Sequence, residues 1–435
     1  MKTDGPVAVF WFRRDLRLED NAGLWKALNS GYRVLPVFIF DTDILDKLEE
    51  RTDRRVSFIH GALEALQQKI TAAGSSLLVL HDTPENALRK IVSEYEVRAL
   101  FANHDYEPYA TDRDRRIGLL TKAEGIPFST FKDQVIFEKD EVLKSDRTPY
   151  TVFTPYSRVW KKNLAEEHTR PYPSEELTGN FLKIKPLPMP SLADIGFNLT
   201  EYAFRTPEID TGLIRDYHKT RNIPSLEGTS RLGVHLRFGT VSIRELVRTA
   251  LALNETWLNE LIWREFFMSI IWHFPHVTDN SFKKKYDNII WRNSEEEFDK
   301  WCNGMTGYPI VDAGMRELNT TGFMHNRARM ITASFLTKHL LIDWRWGEAY
   351  FGGKLLDYEL SSNNGNWQWA AGTGCDAAPY FRVFNPAEQT RKFDPDLAYI
   401  KKWVPEHDTP AYPLMMVDHA FARERALKTY REGLQ

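Results

Sequence analysis

Glu260 and Arg264 stand one helical turn apart in the stretch TWLNELIWREFFMSIIWHF (Thr256–Phe274), with Trp257 on the same face and Trp263 and Phe267 close by. A carboxylate and a guanidinium at this spacing ordinarily form a solvent-facing ion pair. On an aromatic face the same charges are costly without a purpose, and a carboxyl there keeps its proton more tightly and can donate a hydrogen bond. Both readings stand at this point: a surface pair, or an acid held for a ligand.

Three further stretches carry chemistry. In EGTSRLGVHLRFGTVS (Glu227–Ser242), with Tyr217 upstream, Thr229 and Ser230 are candidate caps for a helix beginning near Arg231. Hydroxyls and an arginine at a helix N-terminus make a ready phosphate site, although a capped helix with no ligand reads equally well. GYPIVDAGMRELNTTGFMHNRARMITASFL (Gly307–Leu336) reads as two helices joined at Asn319–Gly322. Asn326, Arg329 and Met330 share a face of the second helix, and Arg327 and Arg329 could reach phosphates. Met330 is ordinary core filler at that spacing, and His325 reads as a satisfied structural histidine rather than a metal ligand. The segment LDYELSSNNGNWQWAAGTGCDAAPYFRVFNP (Leu356–Pro386) gathers Asp357, Glu359, Asn363, Trp367 and Trp369 with little helical or strand periodicity, and is read as a loop. Gly365, Gly372 and Gly374 suggest tight turns and close backbone approach.

These residues need a scaffold, and the chain offers two kinds. Buried-strand runs fall at Val7–Phe12, Val34–Phe40, Ser76–Leu80, Ala99–Ala102 and, more weakly, Pro127–Phe131. Helical patterns lie between them at Gly23–Leu28, Val56–Ala72, Pro84–Tyr95 and Asp112–Glu124. Alternation of this kind predicts an α/β domain with a Rossmann-like parallel sheet over residues 1–131. RRDLRLEDN follows the first strand where a dinucleotide fold would carry G-x-G-x-x-G, which argues against that ligand here. Prolines accumulate through residues 132–206, read as an inter-domain linker over the surface with one short helix near Tyr156–Leu164. Residues 207–435 read as an all-α domain whose last helix is Ala420–Tyr430.

Composition bounds the rest. The 435 residues exceed one typical core, and a formal net charge of -3 gives no global pull toward polyanions, so a nucleic-acid partner must meet a local patch. Two cysteines, Cys302 and Cys375, have no metal-ligand spacing and fit a reducing compartment; no metal is expected. With no secretory signal and no membrane span, a cytoplasmic monomer is the expectation. Ten of the 13 tryptophans lie at or after Trp257, a concentration of flat stacking surfaces in the helical half.

Taken together, RRDLRLEDN, EGTSRLGVHL, ELIWREF, TGYPIVDAGMRELNTTGFMHNRARM, LLIDW and NNGNWQWA…APYFRVFNP resemble the photolyase/cryptochrome family along nearly the whole chain. Within it the match looks closest to class I DNA photolyases that repair cyclobutane pyrimidine dimers. The resemblance implies an α/β antenna domain, a helical domain holding FAD, and a lesion flipped out of the duplex into a pocket over the flavin. It implies light-dependent repair, with photoexcited reduced FAD lending an electron to the dimer and no net redox change.

By position, Tyr217, Thr229, Ser230, Arg231, Leu232 and Gly233 resemble the FAD phosphate and ribityl contacts. Trp257, Arg264, Phe323, Arg329, Asp357, Glu359 and Asn363 would complete the pocket, with Asn363 facing the reactive flavin nitrogen. Glu260, Trp263, Asn326, Met330 and Trp369 match lesion contacts, and Arg327 and Gln389 match DNA contacts. Glu260 would hydrogen-bond the dimer carbonyls. Trp367, Trp344 and Trp291 occupy the places of the family's electron-passing tryptophans, a role that rests on the resemblance alone.

Departures are visible too. Glu359 stands where the family commonly has Asp, and Phe323 where Trp is usual. Tyr109 and Ala110 stand where folate-binding members have Asn-Glu, which argues against folate as a second, antenna chromophore and leaves its identity open. A cryptochrome-type photoreceptor and a (6-4) photolyase are the rival readings. The first often carries a long signalling tail, and the second has histidines at the lesion site where this chain has Asn326 and Met330.

Overall fold

A computed structural model describes residues 5–202 and 204–435; Met1–Asp4 of the predicted α/β domain and Ala203 of the predicted linker lie outside the described residues. The first elements in chain order are β1 (Val7–Phe12), α1 (Ala22–Leu28), β2 (Arg33–Asp41), α2 (Thr42–Leu45) and α3 (Arg54–Ala72). They are followed by β3 (Leu78–Asp82), α4 (Pro84–Glu94), β4 (Val97–Asn103), α5 (Pro108–Ala123) and β5 (Phe128–Phe131). Helices then follow: α6 (Phe153–Asn163), α7 (Glu166–Thr169), α8 (Thr211–Thr220), α9 (Gly233–Phe238), α10 (Ile243–Leu253) and α11 (Glu255–His273). The series ends with α12 (Glu295–Cys302), α13 (Pro309–Thr321), α14 (Asn326–Ser334), α15 (Trp344–Lys354), α16 (Leu360–Ala371), α17 (Pro386–Phe393), α18 (Ala398–Trp403) and α19 (His419–Gly433).

The chain forms two compact units. The first comprises the chain through Glu138 together with Asn163–Ile209 and Leu232–Ala252. Its sheet has five parallel strands in the order β3-β2-β1-β4-β5, the α/β architecture expected from the alternating runs. β1 is buried at every position because helices cover both faces, which is why VAVFWF shows no polar alternation. β3 starts two residues later than predicted and ends on His81 and Asp82, polar residues that an edge strand tolerates. α5 starts four residues earlier than predicted, at Pro108, whose fixed φ and missing N–H suit the first helical position. Tyr109, one of the departures noted above, donates its hydroxyl to Asp41 at 2.6 Å.

The second unit comprises Lys139–Lys162, Asp210–Arg231 and Leu253–Gln435. The proline-rich stretch read as lying over the surface contributes α6, whose Tyr156 and Trp160 are fully buried. The segment read as a loop is helical over its first half: α16 packs against α11, α14 and α15. Periodicity failed there because a helix contacted from several sides has no single apolar stripe. Gly365, within α16, marks a close approach rather than a turn, since a Cβ there would lie 2.1 Å from the Phe267 ring. Gly347 of α15 does the same against Trp367, at 2.1 Å. Gly372 closes α16 in a left-handed conformation, φ 87°. No described helix is long and apolar enough to cross a membrane.

Candidate active site

α11 begins at the Asn254 cap, whose side chain accepts from the N–H groups of Thr256 and Trp257, and it carries Trp257, Glu260, Trp263 and Arg264. Glu260 and Arg264 reach different partners. Arg221 lies 2.5 Å from Glu260, and Glu359, at the N-cap of α16, lies 3.1 Å from Arg264. Burial raises the Glu260 carboxyl above its ordinary value, and Arg221 opposes that shift. The expected acid on an aromatic face is therefore present, held by an arginine that sequence spacing could not connect to it. Burial also pushes the Tyr217 phenol on α8 far up, aided by Glu260.

The junction Asn319–Gly322 closes α13 with Gly322 in a left-handed conformation, and α14 starts after His325. The His325 Nδ1 accepts the Arg327 N–H at 3.1 Å, so the neutral ring carries its proton on Nε2. That Nε2 is buried with no hydrogen-bond partner among the described residues, so the histidine expected to be satisfied is satisfied on one nitrogen only. Burial, then the nearby Arg329, Arg327, Arg231 and Arg221, depress its pKa to about 4. Arg329 holds both Asp357 oxygens, at 3.1 and 2.9 Å, and its guanidinium lies 5.8 Å from the Phe323 ring. Arg231 covers Phe323 at 4.8 Å. Asn326 and Met330 are neighbours along α14, at 4.0 Å from amide to sulfur. Arg327 donates to Asn222 at 2.6 Å and lies 4.1 Å from the Phe393 ring of α17, the helix that carries the half-buried Gln389.

The Thr229–Gly233 stretch departs from expectation. α9 starts at Gly233 and its cap position is Leu232, which makes no side-chain cap. Thr229 and Ser230 therefore precede the helix without capping it, and Arg231 adopts a left-handed backbone, φ 51°. Tyr217, Thr229, Ser230 and Arg231 belong to the second unit; Leu232 and Gly233 belong to the first.

On α16, the Asn363 amide donates to the Glu348 backbone oxygen at 3.0 Å and to its carboxylate at 2.9 Å, and burial raises the Glu348 carboxyl. Ser361 Oγ is buried with no hydrogen-bond partner among the described residues. Sequence reading named neither Glu348 nor Ser361: Glu348 lies 15 positions upstream of Asn363 on another helix, and a serine in a first helical turn looks like a capping residue. Trp367 and Trp344 lie in one apolar cluster, against which Trp291 and Trp369 pack partly exposed. Trp367 touches Trp301 and Phe351, with ring centroids at 6.1 and 4.9 Å, and Trp291 meets Tyr430 edge-on at 5.9 Å.

Residues 257–410 match the family model described as the FAD binding domain of DNA photolyase, and residues 8–175 match the DNA photolyase model. A deoxyribodipyrimidine photo-lyase of Synechococcus is 38% identical over 92% of this chain and 87% of its own length. The chain belongs to the DNA photolyase family. Among solved structures, a bacterial class III photolyase from Agrobacterium tumefaciens aligns with TM-score 0.88 and 32% identity over 99% of this chain and 98% of its own. A cryptochrome of Synechocystis aligns with TM-score 0.84 and 27% identity over 99% of this chain and all of its own, 100%.

The family's cofactor is FAD, and the residues present in the second unit fit it. The Ser361 hydroxyl, which has no hydrogen-bond partner among the described residues, the Asn363 carbonyl oxygen left over as an acceptor once its N–H groups are held by Glu348, two arginine–carboxylate pairs and the Arg231 guanidinium would offer the donors and acceptors that phosphates, hydroxyls and a hydrogen-bonding flat ring require. Trp257 and Phe323 would offer apolar walls; the Phe323 ring has the Arg231 and Arg329 guanidiniums 4.8 and 5.8 Å away.

Proposed function

We propose that this chain is a deoxyribodipyrimidine photo-lyase that repairs cyclobutane pyrimidine dimers in DNA under light. The observation that carries the reading is Glu260: a carboxyl whose pKa burial raises and Arg221 lowers, 2.5 Å from that guanidinium, one helical turn before Arg264 and beside the half-buried Trp263. Reduced FAD, when bound, supplies the light-driven electron and takes it back.

The chain's own side chains do the rest. Tyr217, Thr229, Ser230 and Arg231 would hold the polar portions of the cofactor. Trp257, Arg264, Phe323, Arg329, Asp357, Glu359 and Asn363 would complete its site, with Glu348 fixing the Asn363 amide. Glu260 would hydrogen-bond a dimer carbonyl and stabilise the charge developing there, a role that calls for its proton. Trp263 and Trp369 would stack on the flipped bases, with Asn326 and Met330 beside them. Arg327 and Gln389 would meet phosphates. Asn326 and Met330 offer an amide and a thioether where (6-4) chemistry would need an acid–base imidazole, and that separates the two repair readings.

The test is a parallel incubation of reduced, illuminated protein with oligonucleotides bearing a cyclobutane thymine dimer or a 6-4 photoproduct. The reading predicts loss of the first and persistence of the second. Repair of the 6-4 lesion, or of neither, contradicts it.

A further inference from the structure

Trp263 does not present two free faces. The Phe153 ring lies flat against it, with centroids 3.7 Å apart and planes 4° from parallel. Aromatic pairs usually settle offset or edge-on at wider separations, so a close sandwich needs something to hold it. Two contacts do. Phe153 is the first residue of α6, and its N–H, which has no partner within the helix, donates to Asp376 Oδ2 at 3.0 Å. α6 is itself pinned to α11, because the buried Trp160 indole donates to Glu265, two residues beyond Trp263. Asp376 lies in the segment after α16, seven residues past Trp369. One carboxylate therefore connects the chain following Trp369 to the ring that backs Trp263. Phe153 and Trp263 are both partly exposed, which is not where the fold would spend an aromatic pair for core packing alone.

We propose that Phe153 is a positioning residue: with Asp376 it fixes the plane of the Trp263 indole, which also has the Phe267 ring 5.4 Å away and 30° from parallel, so that the part of the indole left exposed meets a flipped pyrimidine dimer already oriented. The proposal rests on the reading that Trp263 contacts the lesion. Holding the indole in place removes a rotamer cost from binding, and the effect belongs to affinity for damaged DNA rather than to the photochemical step.

The experiment measures dark binding of the FAD-loaded protein to a duplex bearing one thymine dimer and to the same duplex undamaged, with repair per absorbed photon at saturating DNA as a second readout. F153A and F153L should weaken dimer binding about three- to tenfold while F153Y stays near wild type, the range of one aromatic pair. D376A should weaken it in the same sense, and D376N, which keeps an acceptor oxygen, should restore it. Undamaged-DNA affinity and yield per photon should not move, and wild-type FAD content certifies folding. F153L binding as well as wild type would mean that bulk alone matters and would overturn the proposal. Tighter binding by F153A would overturn it too, by making the ring a plug. Loss in W263A without loss in F153A removes the clamp alone, whereas wild-type binding by W263A removes the underlying reading and the clamp with it.

Discussion

His339 gives a quantitative test of how the second unit handles buried polarity. The ring is fully buried, stacks on Phe335 at 4.7 Å, and its Nε2 meets His419 Nδ1 at 2.8 Å, while Nδ1 has no hydrogen-bond partner among the described residues. Protonation would place an unpartnered cationic N–H in an apolar setting beside His419 and Arg425. Burial first, and those two groups second, hold the pKa near 3 against an ordinary 6.5. Because the folded value is depressed, the unfolded chain binds the proton more readily between pH 6.5 and 3, so the stability contributed by the neutral ring is lost as pH falls through that window. From pH 7 to pH 5 this one group costs about 2 kcal/mol. Urea unfolding followed by circular dichroism, on wild type and His339→Phe at both pH values, isolates the term, since titrations shared by the two proteins cancel in the difference. The variant should lose about 2 kcal/mol less than wild type on acidification. Parallel losses in the two proteins would refute the argument.

Three further outcomes follow from the site. Glu260→Ala should lower light-dependent repair about 10- to 100-fold, the scale of a lost hydrogen bond to a charged group, and Glu260→Gln, which can still donate, should lose less; repair kinetics decide between them. Trp367→Phe should abolish light-driven reduction of the oxidised holoprotein while leaving repair by chemically pre-reduced protein largely intact, and equal loss in both assays would count against the assigned role. Gly365→Ala should push against Phe267, 2.1 Å from the new Cβ, and destabilise the protein by about 1–3 kcal/mol, seen as a lower urea midpoint with reduced FAD retention.

Local pattern carried the sheet and the helix α11 because a short unbroken apolar run such as VAVFWF marks a strand buried on both faces, while Glu255–His273, free of glycine and proline, is too long an apolar-rich run to be a strand. It failed at α16, where Gly365 lets Phe267 against the helix and Trp367 fills the space at Gly347, so that close contact on different sides erased the stripe that marks a helix. Site residues of unusual type, Glu260 among tryptophans above all, stood out as candidates. Their partners did not: Arg221, Glu348 and Phe153 are ordinary residues at ordinary positions, and only tertiary packing brings them to Glu260, Asn363 and Trp263. The caps expected of Thr229 and Ser230 failed for a related reason, since the left-handed Arg231 displaces the helix start to Gly233.

The central claim is light-dependent dimer repair, and it is tested most directly by mixing anaerobically reduced, FAD-loaded protein with a thymine-dimer oligonucleotide and following dimer content in blue light and in darkness. The account predicts dimer loss that grows with light dose, many turnovers without consumption of reductant, and no loss in the dark. Dimer content that stays constant under illumination, or falls equally in darkness, would contradict it.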